Sequence, residues 1–328
     1  AQGILNSGST LADLTNSGTL ETTGEWSTSL DIGSLYNDEA STITKLTNSG
    51  TGTMQGIKSK RSGIVNKGTI SSLTNSGILK GTGTTNSYGL FNTGTITSLT
   101  NDIAGTISSA NSKGLSNDGT GIINRLDNAG TIQATGVSNS EGLYNSGTID
   151  VLSNDSVGTI SSANFEGLYN TGIINHLYNV GTISSTNNKG TITNLYNNQG
   201  AATSDPLTFS GNLPTNYYVH IDSTSDYGQL AVPSGVGNIN FSITTDSVIG
   251  VPTANYTSYS NDGATLNPVD GTPYKIEATG KDITVIANSD WTVTGPVHNI
   301  LVDQAANFDL TINATAKNEA GSIAGATY

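Results

Sequence analysis

The chain is predicted to be all-β: a three-sided β-solenoid over residues 1–203, then a sandwich-like all-β domain over 204–328 that serves as a cap or assembly module. Three observations predict it. A tag of the form Leu-x-Asn-x-Gly-Thr-Ile recurs through the first 200 or so residues. Its copies come in pairs at a nearly fixed period, the mark of stacked repeats. Beyond Ser204-Asp205-Pro206 the tags stop, all seven prolines appear, and longer alternating segments begin.

The paired asparagines are Asn6 and Asn16, Asn37 and Asn48, Asn66 and Asn75, Asn92 and Asn101, Asn117 and Asn128, Asn145 and Asn154, and Asn170 and Asn179, with Asn197 as a last single member. First members are 25 to 31 residues apart, and partners within a pair 9 to 11. That is about eight coils of about 26 residues, with two tags a third of a period apart. A coil with three sides of eight or nine residues fits. Two sides end on a tag, and the third carries a Ser/Asn/Gly-rich stretch such as Ser108-Ser109-Ala110-Asn111-Ser112-Lys113.

Strand parity orients the tag. In Leu99-Thr100-Asn101 the Leu and Asn share a face and Thr100 takes the other. With Leu inward, Asn also points inward, at a corner. Asparagines at equivalent corners of stacked coils can hydrogen-bond one another and the turn backbone. The expected ladder therefore comprises Asn66, Asn75, Asn92, Asn101, Asn117, Asn128, Asn145, Asn154, Asn170, Asn179 and Asn197. The Gly two residues later is expected to supply a left-handed corner conformation. The following Ile (Ile70, Ile96, Ile107, Ile132, Ile149, Ile160, Ile183) returns to the core. One coil cannot bury its own apolar face, so stacking is what closes the core. Helical periodicity is absent, and frequent Gly would cost a helix about 1 kcal/mol each.

In the second region, candidate strands are 217–221, 229–232, 239–243, 274–278, 283–287, 291–294, 300–302 and 308–314. Turn signals at Asn261-Asp262-Gly263 and Asp270-Gly271 separate them. A wider continuation of the solenoid is the second architecture for this region. Phe308, Leu310 and Ile312 alternate cleanly. They read as an ordinary strand or as an assembly strand donated to a neighbouring subunit.

Composition excludes several functions. The net charge of −13 with only 12 Lys+Arg is opposite to a nucleic-acid footprint. No apolar run of about 18 residues predicts a membrane span. Zero cysteines exclude disulfides, thiol catalysis and Cys-ligated metal. The opening Ala1-Gln2-Gly3 fits removal of a signal peptide, and a cloned fragment would begin the same way. The expected location is extracellular, on a bacterial cell surface.

The chemistry-bearing residues are sparse. Asp102, Asp118, Asp127, Asp150 and Asp155 are scattered over tags and corners, without the paired carboxylates of a glycosidase. His176, His220 and His298 lack metal-ligand spacing. A plain turn accounts for Asn261-Asp262-Gly263 better than calcium does. No catalytic residue, metal or cofactor is expected.

Two outer rows are more informative. Before the first-tag Asn come Leu5, Tyr36, Val65, Phe91, Ser116, Tyr144, Tyr169 and Tyr196, an expected outward row. Its candidate binding stripe is Phe91, Tyr144, Tyr169 and Tyr196, facing a surface glycan or cell-surface protein. Cross-strand stacking that merely stabilises the rod is the competing explanation. Before the second-tag Asn come Thr15, Thr47, Thr74, Thr100, Asp127, Ser153 and Tyr178, a mostly polar row suited to rod-to-rod hydrogen bonding.

The Leu-Thr-Asn-Ser-Gly-Thr-Ile type of repeat resembles the passenger regions of bacterial autotransporter adhesins. The segment Tyr218-Val219-His220-Ile221-Asp222-Ser223-Thr224-Ser225-Asp226-Tyr227-Gly228-Gln229-Leu230-Ala231-Val232 looks like the one that follows such passengers and begins a folding cap. The resemblance covers residues 1 to about 245. It implies a right-handed three-sided β-solenoid and a self-associating, non-catalytic adhesin or fibre subunit, with the protein itself as the main partner. Such proteins end in a membrane β-barrel, and no barrel-strand series follows Thr245. The alternative is a polysaccharide-binding or -degrading β-helix protein. An ice-binding solenoid is a minor one, because only Thr95-Ile96-Thr97 and Thr191-Ile192-Thr193 give the Thr-x-Thr array it needs.

Overall fold

The structure is a computed structural model that describes residues 3–23, 32–200, 205–219, 228, 230–236, 240–243, 253–254, 274–279, 291–294 and 307–316. Every regular element among them is a strand. The chain forms two compact units, 1–191 and 192–328.

The first unit is a three-sided parallel β-solenoid. One coil shows the plan: Leu90–Asn92 on the first sheet, Thr95–Asn101 on the second and Thr106–Ser109 on the third. The next coil repeats it with Leu115–Asn117, Ile122–Asn128 and Thr131–Ala134. Like pairs with like across coils: Leu90 with Leu115, Leu99 with Leu126, Ile107 with Ile132. Seven complete coils stack this way, and Thr186–Asn188 adds an eighth strand to the first sheet.

Each coil contributes about four apolar side chains to a narrow core. In one coil these are Leu115, Ile123, Leu126 and Ile132, all at 0% exposure. Each is worth about 1.5–3 kcal/mol of apolar burial. Strands buried along a parallel stack read as in-phase Ile and Leu, which is why the period was visible in the sequence.

Strict alternation does not hold along the second sheet. Ile96 and Leu99 are both buried although three residues apart. The register passes from Ile96–Ile123 to Ser98–Arg125 and skips Thr97. Thr97 and Ser98 both lie on the outer side. The strand bends at this pair, and the bend returns Leu99 to the core.

The tag glycines need correcting. Among the described glycines positive φ occurs at Gly8, Gly119, Gly200 and Gly211, not at the general run of tag glycines. Close approach explains them instead. A Cβ on Gly130 would sit on the carbonyl oxygens of Asp102 and Gly105 in the preceding coil, and Gly181 meets Asp155 and Gly158 in the same way. Only a residue without a side chain lets one corner nest on the next.

In the second unit the parallel pattern persists past residue 203. Asn216–Val219 pairs parallel with the strand Thr191–Asn197, through Leu195–Tyr217 and Tyr196–Tyr218, and then with Asn240–Ile243. Leu207–Asn212 pairs parallel with Leu230–Val236, with a register shift between Thr208 and Ser210. Leu207, Phe209, Tyr217, Leu230 and Val232 supply its buried apolar side chains. The wider-coil architecture therefore describes the stretch to residue 243. Beyond it, Asn307–Ala316 pairs antiparallel with Thr253–Ala254, Tyr274–Thr279 and Trp291–Thr294. The expected strands 283–287 and 300–302, and the turns at 261–263 and 270–271, lie outside the described residues.

Candidate functional site

The tag asparagines close the strands of the first and second sheets, and their side chains run as two ladders through the first unit. In the first, the Nδ2 of each member donates to the Oδ1 of the next: Asn6, Asn37, Asn66, Asn92, Asn117, Asn145, Asn170, Asn188, at 2.7–2.8 Å. The second runs Asn16, Asn48, Asn75, Asn101, Asn128, Asn154, Asn179, at 2.8–2.9 Å. Asn101 shows the full set. Its Nδ2 donates to Asn128 Oδ1 at 2.8 Å, Gly105 O at 3.2 Å and Thr131 O at 3.3 Å. Two carbonyl oxygens therefore face the nitrogen, which fixes the amide orientation, since an oxygen there would meet only acceptors. All ladder bonds point the same way, so their dipoles align.

Asn188 was missed in the sequence. Thr186-Asn187-Asn188 lacks the tag Leu, and Asn188 follows Asn170 by only 18 residues. Asn197, also expected as a ladder member, is buried and donates to Gln199 O at 3.1 Å. On its C-terminal side its strand partner is Val219, which carries no side-chain amide.

The outer aromatic row also needs correcting. Phe91 is 8% exposed and stacks on Tyr88 with ring centroids 5.0 Å apart, so it is covered rather than presented. Its row neighbours Val65 and Ser116 are buried too. Tyr196 is not in the row: the partner of Tyr169 is Asn187. Tyr196 instead stacks on Tyr218 at 4.4 Å. What remains is the half-buried pair Tyr144 and Tyr169, centroids 5.7 Å apart and planes tilted by 47°.

Two lysines frame this pair. Lys113 Nζ lies 5.3 Å from the Tyr144 ring centre, and Lys189 Nζ lies 5.3 Å from that of Tyr169. Hydrogen bonding to Tyr169 raises the Lys189 pKa above the ordinary lysine value, and the nearby Glu166 carboxylate adds to it. Lys113 also approaches Glu141 Oε2 at 3.8 Å. Glu141 is buried, 5% exposed, and its Oε2 has no hydrogen-bond partner. Glu166 accepts from Asn187 Nδ2 at 2.9 Å. Sequence reasoning passed over both glutamates, although the identical pentapeptide Glu-Gly-Leu-Tyr-Asn at 141–145 and 166–170 sets these coils apart.

The polar row of the second sheet is in register from end to end: Thr15, Thr47, Thr74, Thr100, Asp127, Ser153, Tyr178. Arg125 bonds Asp127 at 2.7 Å, which holds the Arg125 pKa above its ordinary value.

The scattered aspartates are occupied locally. Asp102 accepts from Ser76, Asp118 from Ser146, Asp150 from Asn175 and Asp155 from Ser153. His176 stacks beside Tyr178, centroids 6.2 Å apart. His220 and His298 lie outside the described residues. Among the described residues no group of three or more His, Asp or Glu could hold a metal ion, and no helix is long and apolar enough to cross a membrane. Phe308, Leu310 and Ile312 pair with Ala278, Ile276 and Tyr274 of their own chain.

Compared with known protein families, curated proteins and solved structures, the chain matches none of them.

Proposed function

We propose that this chain is an extracellular, non-catalytic adhesive rod, of the passenger type carried by bacterial autotransporters, that associates side by side with further copies of itself. The observation that carries the reading is the outer face of the second sheet. Its rows Thr15 to Thr100 present hydroxyls in register, at the spacing of about 4.8 Å set by the strands. Such a face offers hydroxyl donors and acceptors in register to an identical face. The low share of charged residues, 11%, and the absence of cysteine suit a protein exported across an envelope.

Sedimentation velocity over a concentration series tests it. The wild type is expected to form dimers or larger lateral assemblies. The double variant Thr74→Arg, Thr100→Arg sets like charges against each other across the interface and is expected to weaken association by about tenfold or more. A strictly monomeric wild type, above all one that shortens a polysaccharide, would overturn the reading.

A further inference from the structure

Charge on the outer face of the second sheet is distributed unevenly along the rod. Within the first unit this sheet has strands of 7 residues in all seven coils, from Thr10–Asn16 to Ile173–Asn179. The middle strand, Thr95–Asn101, turns only Thr95, Thr97, Ser98 and Thr100 outward and carries no charge. The third, Thr69–Asn75, is also uncharged. On the fifth, Arg125 and Asp127 neutralise each other at 2.7 Å. The remaining charges lie toward the two ends. Asp13 and Lys45, on the first two strands, are well exposed and 3.9 Å apart. Asp150, on the sixth, is exposed and accepts from Asn175 at 2.9 Å. In the outer row formed by the fourth residue of each strand, Asp13 and Lys45 stand at one end and Val151 and His176 at the other.

Two identical faces meet about a two-fold axis lying in the plane between them. An axis along the rod sets each coil against its own copy. The outer residues at the third and fourth strand positions then lie beside themselves, so Lys45 meets Lys45, Arg125 meets Arg125 and Asp150 meets Asp150. An axis along the strands, through Thr95–Asn101, sets the first strand against the seventh, the second against the sixth and the third against the fifth. The middle strand alone then meets its own copy, and there every outer group is a hydroxyl. Asp13 faces His176 of the second copy. Lys45 faces Val151 of the second copy, beside Asp150. Like charges across an interface oppose association, and opposite charges favour it.

We propose that two copies of this chain pair antiparallel, second sheet against second sheet, with Thr95–Asn101 on the two-fold axis and Lys45 of each copy against Asp150 of the other. The pairing deepens the side-by-side association proposed above and rests on it. Seven strands at about 4.8 Å, each of seven residues at about 3.3 Å, make a face of about 800 Å2 per copy, the area of a standard interface.

Charge exchange read by sedimentation velocity tests the orientation. Lys45→Glu and Asp150→Lys are each expected to weaken self-association about tenfold, because each brings like charges together. The double variant Lys45→Glu, Asp150→Lys restores the opposite pair and is expected to return to within about threefold of wild type. All three substitutions sit at exposed positions, and recovery in the double variant shows that the singles act through the contact. The chain has no cysteine, so single thiols report proximity cleanly. Thr42→Cys mixed with Thr148→Cys is expected to be joined by a short bis-maleimide, since these first residues of the second and sixth strands face each other. Neither variant alone is expected to link, its own copies lying about 19 Å apart. A wild type that associates while the charge effects simply add, or while the mixed thiols fail to link, would overturn the antiparallel pairing and leave side-by-side association standing. A monomeric wild type would overturn both.

Discussion

Asn101→Ala is expected to lower the stability of the rod by about 3 kcal/mol, more than a surface substitution by a wide margin. The substitution removes three donated contacts. It also leaves Asn75 Nδ2 without the acceptor it holds at 2.8 Å, and Asn128 Oδ1 without its donor. Each orphaned buried group costs about 1–3 kcal/mol, partly relieved by its remaining carbonyl contacts. Thr100→Ala, one residue earlier and on the outer side, should cost within about 0.5 kcal/mol. A stacked array couples mainly nearest neighbours. Asn16→Ala, at the first position of its ladder and with one ladder neighbour among the described residues, should therefore cost less than Asn101→Ala. Urea denaturation read by far-ultraviolet circular dichroism checks the order. Equal midpoints for the Asn101 and Thr100 variants would show that the corner amides carry no load.

The second large effect belongs to the corner glycines. Gly130→Ala is expected to cost about 2–3 kcal/mol or more, because the new methyl meets backbone carbonyls of the coil beneath, which cannot turn aside as a side chain can. Gly119→Ala separates the two reasons for a glycine. Gly119 has φ +54° with nothing within 4 Å of an added Cβ, so only backbone strain opposes the change, at about 1–2 kcal/mol. Asn at position 119 should recover much of that loss, since Asn tolerates the left-handed region. Asn at 130 should recover none of its own. Thermal melts of these four variants decide between conformation and contact. A rescue of the 130 position by Asn would mean the glycine is there for φ after all.

How much of this was legible beforehand varied with the physics involved. Stacking forces Leu, Ile and Asn of successive coils into register, so their phase is written in the chain and the parallel solenoid followed from it. Asn188 escaped because register, not the tag, defines membership: its coil is short and lacks the tag Leu. The bend at Thr97–Ser98 was hidden because alternation describes a straight strand, and only a closed three-sided coil turns Leu99 back inward. The glycines were recognised for the wrong property, since a Cβ clash between coils is a tertiary fact with no local signature. The outer aromatic row misled at both ends. Parity placed Phe91 outside but could not show Tyr88 lying over it, and a missed tag shifted Tyr196 into a row it does not share. Glu141 illustrates the converse. Its repeated pentapeptide was in plain view, but a lone carboxylate beside a glycine draws notice only once its burial is known.

The account rests on two continuous ladders of buried amides, and side-chain hydrogen exchange in protein labelled with 15N at asparagine tests it most directly. The Nδ2 protons of Asn92, Asn101, Asn117 and Asn128 are expected to exchange orders of magnitude more slowly than those of the exposed Asn124, with resonances shifted by paired hydrogen bonding. Exchange of the ladder amides at the rate of Asn124 would contradict it.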